Sequence, residues 1–191
     1  MKLKSIPVNF LKIILGTIFI IGLTQLSLDL SFKEIPVPIT GQSLAVLTVA
    51  VLLGFRNGSL AIGLYLLLGA IGLPVFANGA AGWETFGKGS GGFLYGFLVA
   101  GSLTGWLAER WGIAKFSKNL LLMGIGTALI ILFGVGHLSA MYGVEKALEY
   151  GFYPFWPGAI VKIILGAVVL SGWHYFIEKN KTGIIKIKRE S

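Results

Sequence analysis

Apolar segments too hydrophobic and too closely spaced for a soluble domain alternate along this chain with polar breaks punctuated by Pro and Gly. Charges, Pro and Gly mark off six of them, at 8–28, 43–55, 59–73, 91–108, 120–141 and 157–177. Most approach the roughly 20 residues that a helix rising 1.5 Å per residue needs to cross about 30 Å of hydrocarbon. The second and third are short, the 13 residues of the second reaching only about 20 Å. The second either forms a tight helical hairpin with its neighbour through Arg56-Asn57-Gly58 or dips in from loop residues packed inside the bundle, and the hairpin is the expected form. The pattern predicts an all-α, six-transmembrane-helix integral membrane protein: one membrane domain over residues 1–191, ending in a basic cytoplasmic tail at 178–191.

Composition agrees. Charged residues make up 13% of the chain, hydrophobic residues 55%, and the mean hydropathy is +0.82, whereas soluble domains carry roughly 25% charged residues. With no cysteine, disulfides, thiolate nucleophiles and Cys-ligated metals are excluded. The net charge of +8 sits in short clusters between apolar segments, which points to anionic lipid headgroups as counter-charge and away from nucleic acid. Met1-Lys2-Leu3-Lys4 ahead of an apolar run resembles a secretory signal. No small-residue cleavage site follows and five further apolar segments do, so the run is expected to stay as the first span.

An even number of spans puts both termini on one side. Lys2, Lys4, Lys12, Arg56, Arg110, Lys115, Lys118 and the Lys/Arg of the tail share that side with only Glu109, Glu178 and Glu190, and the excess marks it as cytoplasmic. The outward connections, 29–42, 74–90 and 142–156, are much longer than the inner ones. Long loops in a compact fold are functional or disordered. These carry Phe32, Phe76, Trp83, Phe86, Tyr150, Phe152, Tyr153, Phe155 and Trp156, read either as an aromatic belt at headgroup level or as an ordered lid over an outward-facing cavity.

Two of those connections carry a recognisable order of residues. The first reads Pro36-Val37-Pro38-Ile39-Thr40-Gly41-Gln42-Ser43. The second runs from Gly69-Ala70-Ile71-Gly72-Leu73-Pro74-Val75-Phe76-Ala77-Asn78-Gly79 to Gly91-Gly92-Phe93-Leu94-Tyr95-Gly96-Phe97. Together they closely resemble the BioY family, the biotin-binding substrate-capture (S) subunit of energy-coupling factor (ECF) vitamin transporters. The likeness spans 36–110 and returns near Pro157. It implies an S-component-like bundle in the cell membrane that captures biotin and catalyses no covalent reaction. It implies no cofactor. Its partners would be a transmembrane coupling subunit and two ATP-hydrolysing subunits.

Biotin joins a flat ureido head and an apolar thioether ring to a carboxylate tail, so its site needs apolar walls, hydrogen-bonding groups and one cation. Lys162 is the sharpest candidate. Pro157-Gly158-Ala159-Ile160-Val161-Lys162 opens an apolar helix and carries an ammonium about one and a half turns inward, where a charge is expensive unless paired. It either snorkels to the interface or serves as counter-ion to an anionic substrate. The family pattern is Pro-Gly-Asp followed by this Lys; here Ala159 replaces the Asp. Gln42, Asn78 and Tyr95 supply hydrogen bonds and Phe76, Trp83 and Phe93 supply walls. Gly79, Gly82, Gly87, Gly91 and Gly92 permit unusual backbone angles and close approach to a ligand or a neighbouring helix. Blander readings stand beside these: Gln42 or Thr40 as a helix cap, Asn78 as a turn residue, Tyr95 as ordinary packing. On the first span the family presents small residues four apart to the coupling subunit. Gly16 and Thr17 are the expected partner contacts, although Ile20 and Ile21 interrupt the repeat.

Other chemistry falls away. Gly82-Trp83-Glu84-Thr85-Phe86-Gly87-Lys88 has the spacing of a phosphate-binding loop, but Gly89 follows where Ser or Thr belongs and no strand precedes it. His137 and His174 are far apart without acidic partners at metal-ligand spacing. Two rival functions remain: an S subunit for a different vitamin, suggested by Ala159, and a small membrane enzyme or assembly factor, against which stands the lack of any paired acid/base set.

Overall fold

Glycine 54 decides how the middle of the chain is folded. In the computed structural model, which describes residues 8–28 and 39–190 and the side chains of 8–26 and 40–180, α1 (Val8–Thr24) is followed by α2 (Gln42–Ala70), and α2 is broken at Gly54, with φ 77° and ψ −177°. Gln42 and Tyr65, 23 residues apart, share a side-chain hydrogen bond, whereas an unbroken helix would hold them about 34 Å apart. The two arms, 42–53 and 55–70, therefore lie antiparallel, as the hairpin expectation required. The reversal comes a few residues before the expected Arg56-Asn57-Gly58, because a tertiary partner waits there. The Glu109 carboxylate of α3 (Gly91–Trp111) accepts a bond from the Phe55 amide at 2.9 Å. It satisfies a free amide at the start of the second arm and places negative charge at the helix N-terminus, where it is favoured.

The shortness of the first arm also has a physical account. Ala45, Val46, Leu47 and Ala50 are all 0% exposed, so this arm is sheathed by other helices and need not match the bilayer's thickness. α1 and α3 pack against α2, and α4 (Phe116–Tyr142) packs against α3 and α6 (Trp156–Glu190). Close helix approach in lipid depends on small residues, since tails are as apolar as the side chains they would replace. On α3, Gly92 and Gly96 face the backbone of α4, whereas Gly101 and Gly105 face α2.

At the same end of the bundle as Gly54, fully buried Asn119 donates from Nδ2 to Ile113 O at 3.0 Å and Ser171 Oγ at 2.9 Å, tying α4 and its preceding turn to α6. At the other end, Ser27–Leu28 pairs antiparallel with Ile39–Thr40. Two 3-10 turns (Ala77–Gly79, Trp83–Gly87) cross between α2 and α3, and α5 (Val144–Gly151) bridges α4 to α6. The loop 29–38, with Phe32, Pro36 and Pro38, lies outside the described residues.

Leu15, Leu132, Val168 and Phe176 stand about half exposed or more on the outer faces, as a lipid surrounding requires. Four helices, Gln42–Ala70 among them, are long and apolar enough to cross a membrane. With α2 folded double and α1 added, the six predicted spans are present in an all-helical bundle whose last helix runs on into the basic tail.

Candidate functional site

The ends of α2, α3 and α6 opposite Gly54 converge on one cavity of about 70 Å³. α2 and the residues before it contribute Thr40, Gln42 and Ser43. α3 contributes Ser90, Phe93, Leu94 and Phe97, and Ala77, Ile130, Phe155 and Lys162 complete the wall. Phe93 and Phe97 are four apart and so share a helix face; Phe93 stacks on Phe155 with ring centroids 5.5 Å apart. This volume suits a few waters.

Of the sequence-predicted site residues, Lys162, Gln42 and Phe93 meet here. Lys162 turns inward and donates from Nζ to Ser43 Oγ at 3.3 Å. Gln42 has two attachments: its backbone amide donates to Thr40 Oγ1 at 3.1 Å and its side-chain Nε2 to the Tyr65 hydroxyl. Thus Thr40 satisfies the first amide of α2 from one residue ahead of the N-cap position, Gly41, and Gln42 keeps its side chain on the cavity wall.

The remaining predicted residues are placed elsewhere, for geometric reasons. Tyr95 lies two residues from Phe93, about 200° around the helix, and points outward, 47% exposed. It lines a separate apolar groove with Trp83, Phe86 and Phe133. Trp83 itself is 72% exposed. Phe76 is buried under Gly69 and meets Tyr65 edge-on at 5.5 Å, so it braces the wall from behind. Asn78 (φ 56°) and Gly79 (φ 69°) form the left-handed corner of the Ala77–Gly79 turn, beside cavity-lining Ala77. Gly91 closes on the Phe86 carbonyl and Gly92 on α4: of the two options open to these glycines, close approach to protein is the one used.

Gly16 and Thr17 are buried on α1 and pack within the subunit, and Gly16 also lines a groove with Lys12, Leu15 and Phe19. Gly16 packs on Val49, Leu53 and Ala61, and Thr17 Oγ1 donates towards Ile13 O and Ala61 O. Ala159 lies on the wall of another groove, between α4 and α6. His137, unassigned from sequence, faces the Lys88 carbonyl from Nε2 at 3.1 Å and so pins the end of the 74–90 segment to α4. Since a carbonyl cannot donate, that nitrogen carries the proton.

Ser43 and Phe97 line the cavity and Tyr65 stands behind its wall, none of them singled out from the sequence, whereas Phe155 comes from the outer-loop aromatics read as a belt or a lid. Ser43 and Phe97 stood inside the quoted motifs, and the four-residue spacing from Phe93 was a usable signal for Phe97. Nothing local marks Tyr65, which reaches the site only because the chain reverses at Gly54.

Comparison with known proteins is consistent throughout. The model of the BioY family matches residues 1–179. The biotin transporter BioY of Rhizobium etli is 35% identical over 73% of this chain and 79% of its own length. The biotin transporter BioY2 of Lactococcus lactis is 38% identical over 80% of this chain and 82% of its own. A crystal structure of the S-component for biotin from an ECF-type ABC transporter superposes with a TM-score of 0.79 at 27% identity, covering 87% of this chain and 90% of that one. With a shared bundle and a family match over nearly its whole length, the chain belongs to the BioY family.

Proposed function

We propose that this protein is the substrate-capturing subunit of a biotin uptake system and that biotin occupies the cavity between α2, α3 and α6. The observation that carries the reading is the position of Lys162: an ammonium inside an apolar helix, aimed into a cavity that also offers a buried amide and stacked aromatic walls. A charge in that setting is a functional-site signal, and biotin's carboxylate, apolar ring and ureido head match cation, aromatic wall and amide in kind. The protein is a transport component and no enzyme.

Energy would come from a transmembrane coupling subunit and two ATP-hydrolysing subunits, the assembly the family implies. Arg56, Arg110, Lys115 and Lys118 gather at the Gly54 end, which favours that end as cytoplasmic and the cavity as outward-facing. Anionic lipid headgroups would neutralise the same basic rim.

Calorimetric titration of the purified protein in detergent with biotin tests the reading. One-to-one binding is expected. Lys162→Ala should weaken it by about 10- to 100-fold, the range of a charge-assisted hydrogen bond, and Lys162→Glu by more. Unchanged affinity in Lys162→Glu would remove the residue from the site. Absence of biotin binding by the folded protein, with competition by another vitamin, would replace the ligand, the alternative raised by Ala159.

A further inference from the structure

Gln42 has an amide whose two ends offer opposite chemistry, and its orientation is decided two residues away from the cavity. Thr24, at the end of α1, is fully buried. Its Oγ1 lies 2.7 Å from Ile20 O. A carbonyl only accepts, so the Thr24 proton is committed to Ile20 and the Thr24 oxygen can only accept in turn. The Tyr65 hydroxyl, on a residue 0% exposed, has two side-chain partners, Gln42 Nε2 and Thr24. Its single proton must go to Thr24, which leaves the phenolic oxygen as an acceptor facing Gln42. At 2.5 Å the Gln42 atom opposite has to be Nε2, because Oε1 there would set two acceptors against each other without a proton. Phe76, edge-on to the Tyr65 ring and pressed on Gly69, keeps the hydroxyl from swinging away.

The geometry points to a one-way relay, Gln42 to Tyr65 to Thr24 to Ile20, that holds Gln42 Oε1 as the acceptor available to the cavity and so makes the site select ligands presenting an N–H donor there. Resting on the biotin reading above, the relay assigns Gln42 to one of the two ureido N–H groups. Tyr65 and Thr24 become positioning residues for specificity, acting through Gln42 without touching the ligand. A buried acceptor left facing another acceptor rejects the wrong ligand far more strongly than a missing methylene would. This discrimination is a difference between two ligands, so a merely structural role for Tyr65 would not produce it.

The test compares biotin with its two cyclic carbamate isosteres, in each of which a ring oxygen replaces one ureido N–H. In the wild type at least one isostere should bind about 10-fold or more weakly than biotin. Tyr65→Phe and Thr24→Val release the amide to rotate, and the penalty should fall to within about 3-fold, whereas Thr24→Ser keeps it. A penalty unchanged in Tyr65→Phe and Thr24→Val, or a parallel weakening of all ligands, overturns the relay. A ligand-free measurement runs beside it. The chain has two glutamines, Gln25 and Gln42, so ¹⁵N-glutamine labelling in detergent gives two side-chain amide signals. The Gln42 amide should exchange slowly in the wild type and in Thr24→Ser, and rapidly in Tyr65→Phe and Thr24→Val. Slow exchange in all four overturns the relay. Wild-type protein that fails to bind biotin while keeping the expected exchange pattern overturns the biotin assignment and leaves the relay standing.

Discussion

Replacing Gly54 with alanine tests the hairpin on which the site depends. At φ 77° and ψ −177° the residue occupies a region essentially confined to glycine, and an L-residue there costs of order 1–3 kcal/mol. A β-carbon would also collide with the Glu109 carboxylate, the group that caps the Phe55 amide, and loss of a cap costs about 1 kcal/mol. Gly54→Ala should therefore destabilise the fold by about 2–4 kcal/mol. Denaturant unfolding in mixed micelles, followed by circular dichroism, reads that quantity directly. Gly63→Ala is the control: its added β-carbon meets nothing within 4 Å, so stability should hold or rise by up to about 1 kcal/mol. Adding Glu109→Ala to Gly54→Ala relieves the collision but not the backbone strain, so the double variant should fall short of the sum of the singles. A loss below about 0.5 kcal/mol in Gly54→Ala, within the scatter of surface substitutions, would refute the strained reversal.

Two further outcomes follow from the packing around the cavity. Gly92→Ala drives a β-carbon towards His137 and the Phe133 carbonyl of α4; overpacking of this kind costs about 1–3 kcal/mol, and the same unfolding assay should show it while Gly136→Ala, in open space, stays silent. Ser43→Ala removes the hydroxyl that orients the Lys162 ammonium and should weaken biotin binding by about 2- to 10-fold in calorimetry, the typical net worth of one hydrogen bond; a loss as large as that of Lys162→Ala would make the hydroxyl, and not the ammonium, the principal ligand group.

Three residues of the candidate site, which share one cavity, were legible because they announce themselves locally. Lys162 is conspicuous as a charge within an apolar helix, and Gln42 and Phe93 sit in recognisable loop-to-helix junctions. Tyr95 and Trp83 shared those stretches and are turned away, since rotation about a helix axis is set by packing partners that the local string does not contain. Gly16 and Thr17 show the same limit: small residues on α1 mark a close contact, and only the bundle shows that α2 is a partner in it.

What the chain determined by itself was hydropathy, and with it the number of spans, the short second segment and the clustering of basic residues at one end, because transfer to lipid is close to additive along the sequence. What the tertiary structure alone decided was which side chains share a cavity and which way their hydrogen bonds run. The reversal at Gly54 is held by a carboxylate 54 positions beyond the Phe55 amide that it caps, and the direction of the Gln42 amide is set by Tyr65 and Thr24 from two other segments. Such choices rest on contacts between distant residues, and no local property of the string carries them.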